Sequence, residues 1–308
     1  MKYLVTGGAG FLGSHLCRRL LEDGHKVICL DDLSTGTLSN IEEFLNHKNF
    51  EFIKHDLVKP FFPAQLSGIF NLASPASPVS YQYNPIRTLK MGTLAIYNVL
   101  GIATRLKVPI LQASTSEIYG NPTEHPQKET YWGNVNPIGP RACYNEGKRV
   151  SESLCMAYYQ HNKTEIRIAR IFNTYGPKMA PTDGRVISNF VTQALDDKDI
   201  TIYGDGNQTR SFCYVDDLIQ GLISLLNSDY HKPVNLGNPD EYKILDIAKK
   251  IKNITSSNSE FVFSPIPGDD PERRKPDISV AKEILGWEPK INIDIGLLSA
   301  IDWYKKNK

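Results

Sequence analysis

Cysteine is sparse in this 308-residue sequence, and the five present (Cys17, Cys29, Cys143, Cys155 and Cys213) are odd in number, widely spaced and free of any CxxC pair. That pattern argues against a disulfide framework and against a zinc site, so no metal is expected and a reducing cytoplasm is the expected compartment. An excess of either charge is also missing: 35 lysines and arginines face 34 aspartates and glutamates. Without a broad basic field, neither nucleic acid nor an anionic membrane surface is an expected partner, and any positive site must be local. No apolar run approaches the ~20 residues that span a bilayer. Residues Met1 to Val5 run straight into a glycine-rich loop at Gly7, which leaves no expectation of a leader peptide. Internal repeats and low-complexity tracts are absent.

What is present is enough apolar residue, 41% of the chain, to build a sizeable core. Lys2 to Thr6 reads as a short buried strand, followed by GGAGFLG and a helical pattern with Leu12, Leu16, Leu20 and Leu21 on one side, ending near Gly24. Further apolar strands are predicted at Val27 to Leu30, Phe50 to Ile53, Ile69 to Leu72, Pro109 to Gln112 and Ile166 to Phe172, at spacings that fit helical crossovers between parallel strands. Two longer helices are predicted over Pro85 to Leu106 and Ala142 to His161, with apolar residues on more than one face. One face can pack on the sheet and the other on a second subunit, which makes a homodimer through these helices the expected assembly. Beyond Asn173 the texture turns to Pro and Gly punctuation with short elements. The expected fold is therefore α/β: a doubly wound parallel sheet over residues 1–172, to which a segment near 205–230 returns, and a smaller α/β substrate-binding domain over 173–308.

Gly7, Gly10 and Gly13 stand between a predicted strand and a predicted helix, where missing side chains permit a tight turn and let backbone N–H groups meet a pyrophosphate. Asp31 and Asp32 end the second strand, where a carboxylate accepts hydrogen bonds from adenosine ribose hydroxyls and disfavours a 2′-phosphate, so NAD is expected rather than NADP. Asp56, ending the third strand, is either an adenine contact or a surface turn acid. The expected cofactor site also includes Phe11, Leu12, Thr35, Gly36, Leu57, Leu72 and Ser74.

Tyr144 and Lys148 form YxxxK on the second long helix, one turn apart on the same face. Tyr159 with Lys163 and Tyr304 with Lys308 share that spacing. Only Tyr144 follows closely on a strand that ends in a polar cluster, Ser114, Thr115, Ser116 and Glu117, at the carboxyl edge of a parallel sheet where ligands bind. The other two pairs are expected on solvated helix faces. A phenol with pKa near ~10 is a poor base at neutral pH, but a neighbouring ammonium and an oxidised nicotinamide both favour the phenolate.

The stretches TGGAGFLGSHL, NLASPASP, YNPIRTLK, ASTSEIYG, YWGNVNPIGPRACYNEGKR, ARIFNTYGP, DGRVISNF, QTRSFCYV, NLGNPDE and DDPERRKPDI resemble the extended short-chain dehydrogenase/reductase family, and within it the branch that decarboxylates UDP-glucuronate. The resemblance implies a Rossmann domain, a C-terminal substrate domain, tightly held NAD, a dimer, and conversion of UDP-glucuronate to UDP-xylose. It further implies that Tyr144 is the base for the C4 hydroxyl, that Lys148 lowers its pKa and holds the nicotinamide ribose, and that Thr115 hydrogen-bonds the C4 oxygen. Glu117 matches a carboxylate beside C5 and C6 that either deters a stable carboxylate pose or helps deliver a proton to C5. Arg210 and Arg274 match positions that clamp pyrophosphate or hold the sugar acid; the plainer alternative for them is surface ion pairing with Asp269 and Asp270. Lys90, Asn173, Arg185, Tyr203 and Gln208 fall in matching stretches as further substrate contacts. One departure is visible at Gly92, where the family pattern has an Asn, which puts a local cofactor or helix contact in doubt. A sugar-nucleotide 4,6-dehydratase is the nearest rival, separated by PIGPRACYNEGKR. A 4-epimerase, which usually carries a small residue in place of Glu117, and a silent dinucleotide sensor stand further off.

Overall fold

The computed structural model describes residues 1–266, 268, 271 and 273–307. The strands, in chain order, are β1 (Lys2–Thr6), β2 (Lys26–Asp31), β3 (Phe50–Lys54), β4 (Gly68–Asn71), β5 (Ile110–Thr115), β6 (Ile166–Ile171), β7 (Thr174–Tyr175), β8 (Ile200–Tyr203), β9 (Thr209–Ser211), β10 (Cys213–Tyr214), β11 (Pro233–Leu236), β12 (Glu241–Lys243), β13 (Phe261–Ser264) and β14 (Arg273–Arg274). The helices are α1 (Phe11–Glu22), α2 (Pro78–Tyr83), α3 (Pro85–Lys90), α4 (Ile96–Leu106), α5 (Ala142–Asn162), α6 (Val186–Leu195), α7 (Val215–Leu226), α8 (Ile244–Thr255), α9 (Ser279–Leu285) and α10 (Ile293–Lys306).

Seven strands form one sheet in the order β11-β6-β5-β4-β1-β2-β3, every pair parallel. The order reverses beside β1, so the loops after β1 and β4 diverge and open a crevice at the carboxyl edge, the place where doubly wound sheets bind ligands. Strands buried on both faces read as unbroken apolar runs, which is why β1, β2, β4 and β5 were legible without alternation. One apolar cluster packs α1 and α7 on one face, and a second packs α4 and α5 on the other. The segment expected to return over 205–230 divides: β9 at 209–211 joins a small sheet with β12 and β14, while α7 and the seventh strand β11 return, reaching on to Leu236.

The helix expected over Pro85 to Leu106 is interrupted. Ser77 and Asn84 each accept a backbone N–H ahead of a proline at the first helical turn, so Ser-Pro and Asn-Pro start two short helices, α2 and α3, in succession. Between α3 and α4 the backbone widens into a π turn over Met91–Ala95. There Gly92 meets Gly147 of α5 so closely that a Cβ on Gly92 would lie 2.6 Å from the Gly147 backbone. The Ser151 hydroxyl donates to the Gly92 carbonyl at 2.8 Å. A side chain that slots a hydroxyl into the helix ladder is a recognised cause of such irregularity. Gly92 thus makes a helix contact, and an Asn side chain has no room at this crossing.

Candidate active site

One cavity of ≈ 1430 Å³ runs from the glycine loop across the carboxyl edge of the sheet to β9 and Arg274. It exceeds the roughly 300–1,000 Å³ that a single drug-sized ligand occupies. At one end Gly7, Gly10, Phe11, Leu12 and Gly13 line it. A Cβ on Gly13 would lie 2.1 Å from the Gly7 carbonyl oxygen, so the turn closes only without one. The result is a cradle of backbone N–H groups at the start of α1, which suits a pyrophosphate. Asp31 is buried and braces this loop: Oδ2 accepts from Ala9 N at 3.0 Å and Oδ1 from Leu33 N at 2.8 Å. Burial raises its pKa against the help of those two donors. Asp32 accepts from Ser34 N and pairs with Arg87 at 2.8 Å. Thr35, Leu57, Leu72 and Ser74 also line the cavity.

Two residues expected in this end lie outside its lining. Gly36 packs behind it against the Ala9 backbone. Both oxygens of Asp56 are taken by Arg87, at 2.8 and 2.7 Å, so the acid ties the turn after β3 to α3 and does not reach into the cavity. The bridging of two strand-end acids by Arg87 has no signature in spacing, because the acids and the arginine come from separate elements.

At the centre, α5 turns a stripe of Tyr144, Lys148, Ser151 and Cys155 inward, the spacing of one helical face. The Thr115 hydroxyl, at the last position of β5, lies close enough to the Tyr144 phenol to favour its ionised form. Lys148 Nζ lies 5.8 Å from the Tyr144 ring centroid and donates to the Ala113 carbonyl at 2.7 Å. Burial pushes the phenol up to about 12, opposed by Thr115 and by the charges of Arg185 and Arg274. Burial also pushes the Lys148 ammonium down to about 8, with Cys155 and Glu152 acting against it. The Tyr81 ring stacks parallel on Tyr144, centroids 4.9 Å apart. This partner was not legible in the sequence, because α2 is a single short turn with no periodic pattern. The remaining YxxxK tyrosines differ from expectation. Tyr304 is buried, its hydroxyl donating to the Met179 carbonyl at 2.8 Å, so its helix face is packed and not solvated; Lys308 lies outside the described residues. Tyr159 stacks on His231, half-buried.

The far end holds the arginines. Glu117 sits between Arg274, in a close ion pair, and Arg141 at 3.3 Å. Burial opposes the Glu117 charge, and the two guanidiniums overcome it and hold the carboxyl below its usual range. Arg141 was missed by the sequence reading, though its place three residues before Tyr144 puts it on the same helical face. Arg210 and Arg274 are both buried; Asp269 and Asp270, the acids weighed as their ion-pair partners, lie outside the described residues. Arg210 donates to the carbonyls of Thr209 and Pro271. Arg185 is held by Asp183 at 2.5 and 2.9 Å. Asn173, Tyr203 and Gln208 also line the cavity. Lys90 does not: it ends α3 exposed to solvent, because the inward face of that helix is spent on α5. Among the described residues, three buried polar atoms of the lining lack a partner, Tyr81 Oη, Gln208 Oε1 and Arg274 Nε. Orphans of that kind are costly unless a polar ligand satisfies them. No group of three or more metal-ligating side chains occurs among the described residues, and no helix there is long and apolar enough to cross a membrane.

Comparison with known proteins agrees with this geometry. The family described as GDP-mannose 4,6 dehydratase matches residues 4–299. UDP-glucuronic acid decarboxylase 1 of Danio rerio is 52% identical over 305 residues, 99% of this chain and 73% of that protein. UDP-glucuronic acid decarboxylase 1 of Arabidopsis thaliana is 51% identical over 297 residues, 96% of this chain and 68% of that protein. Among solved structures, the UDP-glucuronic acid 4-epimerase of Bacillus cereus in complex with UDP-glucuronic acid and NAD superposes with a TM-score of 0.88 at 28% identity, over 100% of both chains.

Proposed function

The chain belongs to the UDP-glucuronic acid decarboxylases of the extended short-chain dehydrogenase/reductase family, and from that membership we propose that it converts UDP-glucuronate to UDP-xylose with NAD as a recycled cofactor. The observation that carries the reading is the meeting of Thr115, Tyr144 and Lys148 with the Glu117–Arg274 pair in one cavity with the glycine cradle.

The cradle fits a dinucleotide: Gly7 to Gly13 would receive the pyrophosphate, Asp31 and Asp32 the adenosine ribose, and Lys148 the nicotinamide ribose. Bound there, the dinucleotide would supply a hydride acceptor and donor for C4. Tyr144 removes the proton of the C4 hydroxyl, with Thr115 aligning that oxygen. The Lys148 ammonium stabilises the phenolate, offsetting the burial that lifts it to about 12. A ketone at C4 is β to the C6 carboxylate, so the C5–C6 bond breaks with loss of carbon dioxide and its electron pair passes into an enolate. Arg274 and Arg141 supply positive charge at the carboxylate end. Glu117, already ionised between them, stands where it disfavours a resting carboxylate or relays a proton to C5. Arg185, Tyr203, Gln208 and Arg210, with Asn173, line the remainder and suit the uridine diphosphate, guanidinium forks being matched to phosphate oxygens.

The division at residue 172 into a cofactor region and a substrate region, with α7 and β11 returning to the first, is part of the same reading. So is a homodimer: Ile86 and Leu89 of α3, Leu94 and Tyr97 beyond it, and Val150 of α5 are exposed apolar residues on the two long helical segments. Five free, buried cysteines suit a reducing compartment such as the cytoplasm. The deciding experiment incubates the protein with UDP-glucuronate and follows carbon dioxide and sugar nucleotide by mass. UDP-xylose is expected; intact UDP-glucuronate beside turnover of UDP-glucose or another sugar nucleotide would overturn the reading.

A further inference from the structure

Behind Tyr144 and Lys148 lies a buried charged cluster that no step above uses. Glu152 stands one turn beyond Lys148 on α5, and three donors hold its carboxylate. The Ser114 hydroxyl donates to Oε1 at 2.5 Å, Arg170 Nε to the same oxygen at 3.0 Å, and Arg170 NH2 to Oε2 at 2.8 Å. Both charged side chains are nearly buried, 12% and 10% exposed, which makes the pairing obligatory for each. Arg170 NH1 donates onward to the Tyr119 hydroxyl and the Glu129 carbonyl. Tyr119 donates to Asn235, whose amide donates to the carbonyls of Gln127 and Asp277. Gln127 in turn pairs with the backbone of Lys275, the residue after Arg274.

The placement of Ser114 gives the cluster its meaning. Its neighbour Ala113 offers the carbonyl that receives Lys148 at 2.7 Å, and its other neighbour Thr115 carries the hydroxyl that favours the Tyr144 phenolate. A carboxylate that ties Ser114 to α5 therefore governs both contacts at once. Glu152 is also a charge beside a charge, since side chains four apart on a helix are neighbours. The titrating groups around Lys148 are Tyr144, Cys155 and Glu152, all on its own helix, and Arg170 of β6 reaches it through its pairing with Glu152. Strand β5 contributes Ala113 and Thr115, and the π turn Met91 and Gly92, none of which titrates. Of these groups, Cys155 and, after it, the Glu152 carboxylate raise the affinity of Lys148 for its proton.

We propose that Glu152 is a positioning residue for the reaction: clamped by Arg170, it locks the Ala113–Thr115 end of β5 to α5 and sets a negative charge one turn from Lys148. The proposal rests on the assignment of Tyr144 and Lys148 as the proton-handling pair. A cluster that merely welds α5, β5 and β6 together would lower activity on disruption without moving any titration. A cluster that acts on Lys148 moves it in opposite directions according to which charge is removed.

The test compares the full chain with Glu152→Gln, Arg170→Gln and the double variant, each checked for folding by circular dichroism. The proton on Lys148 is followed in two ways: by the basic limb of the pH dependence of UDP-glucuronate turnover, and by pulse acetylation of Lys148 against pH, read by peptide mass. Glu152→Gln is expected to lower both titrations by about one unit, the effect of a unit charge near ~10 Å at an effective dielectric of ~20. Arg170→Gln should raise both by a similar amount, and the double variant should return to the wild-type value. Turnover at the optimum should fall about 10-fold or more in Glu152→Gln as the strand end loosens. Titrations that stay in place, or that move the same way in both single variants, would overturn the proposal. If Glu152→Gln does not fold, Arg170→Gln decides, an unmoved titration overturning the proposal. The labelling arm needs no turnover, so a wild-type protein that leaves UDP-glucuronate intact refutes the assigned reaction while the proposal on Glu152 is still decided.

Discussion

Largely buried at the cavity wall and lifted to about 12 by that burial, the Tyr144 phenol keeps its proton at neutral pH unless its surroundings supply positive charge. Arg185 and Arg274 supply some of it, and Lys148, whose own depression to about 8 comes from burial, is proposed to supply the rest. The two shifts run in opposite directions for one reason, since burial penalises whichever form carries charge. Fold integrity and catalysis are separable at this residue. Tyr144→Phe keeps the ring that stacks on Tyr81 and loses only the hydroxyl. The variant is expected to fold and to retain bound NAD, while turnover falls by ~100-fold or more if the phenol does general base work. Bound dinucleotide measured after denaturation, beside the rate of carbon dioxide release, checks both halves. A near-normal rate would remove Tyr144 from the mechanism.

The helix crossing at Gly92 and Gly147 sets how deeply α5 sits against the π turn, and so where the Tyr144–Lys148 face comes to rest. Ser151, donating to the carbonyls of both glycines, fastens the crossing from the α5 side. A methyl group at residue 92 would meet backbone at 2.6 Å, and backbone cannot swing aside as a side-chain tip can. Gly92→Ala is therefore expected to destabilise the protein by about 1–3 kcal/mol, the usual cost of overpacking, despite the gain in helix propensity. Chemical denaturation with an unchanged slope would measure it. A variant as stable as the parent would show that the helices can part without loss.

Across the whole molecule, the apolar residues left on α3, α4 and α5 form the surface on which a second copy is proposed to pack. Tyr97 is 57% exposed and Leu94 46%. Scattered exposed apolar residues need no explanation, but a set gathered on adjoining helices marks an interaction surface. Leu94→Glu, which buries an unpaired charge in such an interface, is expected to halve the mass found by sedimentation equilibrium. A parent protein that sediments as a monomer would refute the dimer. The parallel sheet, the glycine cradle, the strand-end acids and the YxxxK helix were all legible along the chain, because each depends on a period or spacing of a few residues. The wider assembly of the site was not. Lys90 shares a motif with Arg87, yet packing of α3 turned one to solvent and the other onto Asp32 and Asp56. Tyr81 against Tyr144, Arg141 and Arg274 on Glu117, and Arg170 on Glu152 bring together residues from separate elements. Local sequence determines what a segment can form by itself; which buried charges and rings end up facing one another is decided only when distant segments compete for the same interior space.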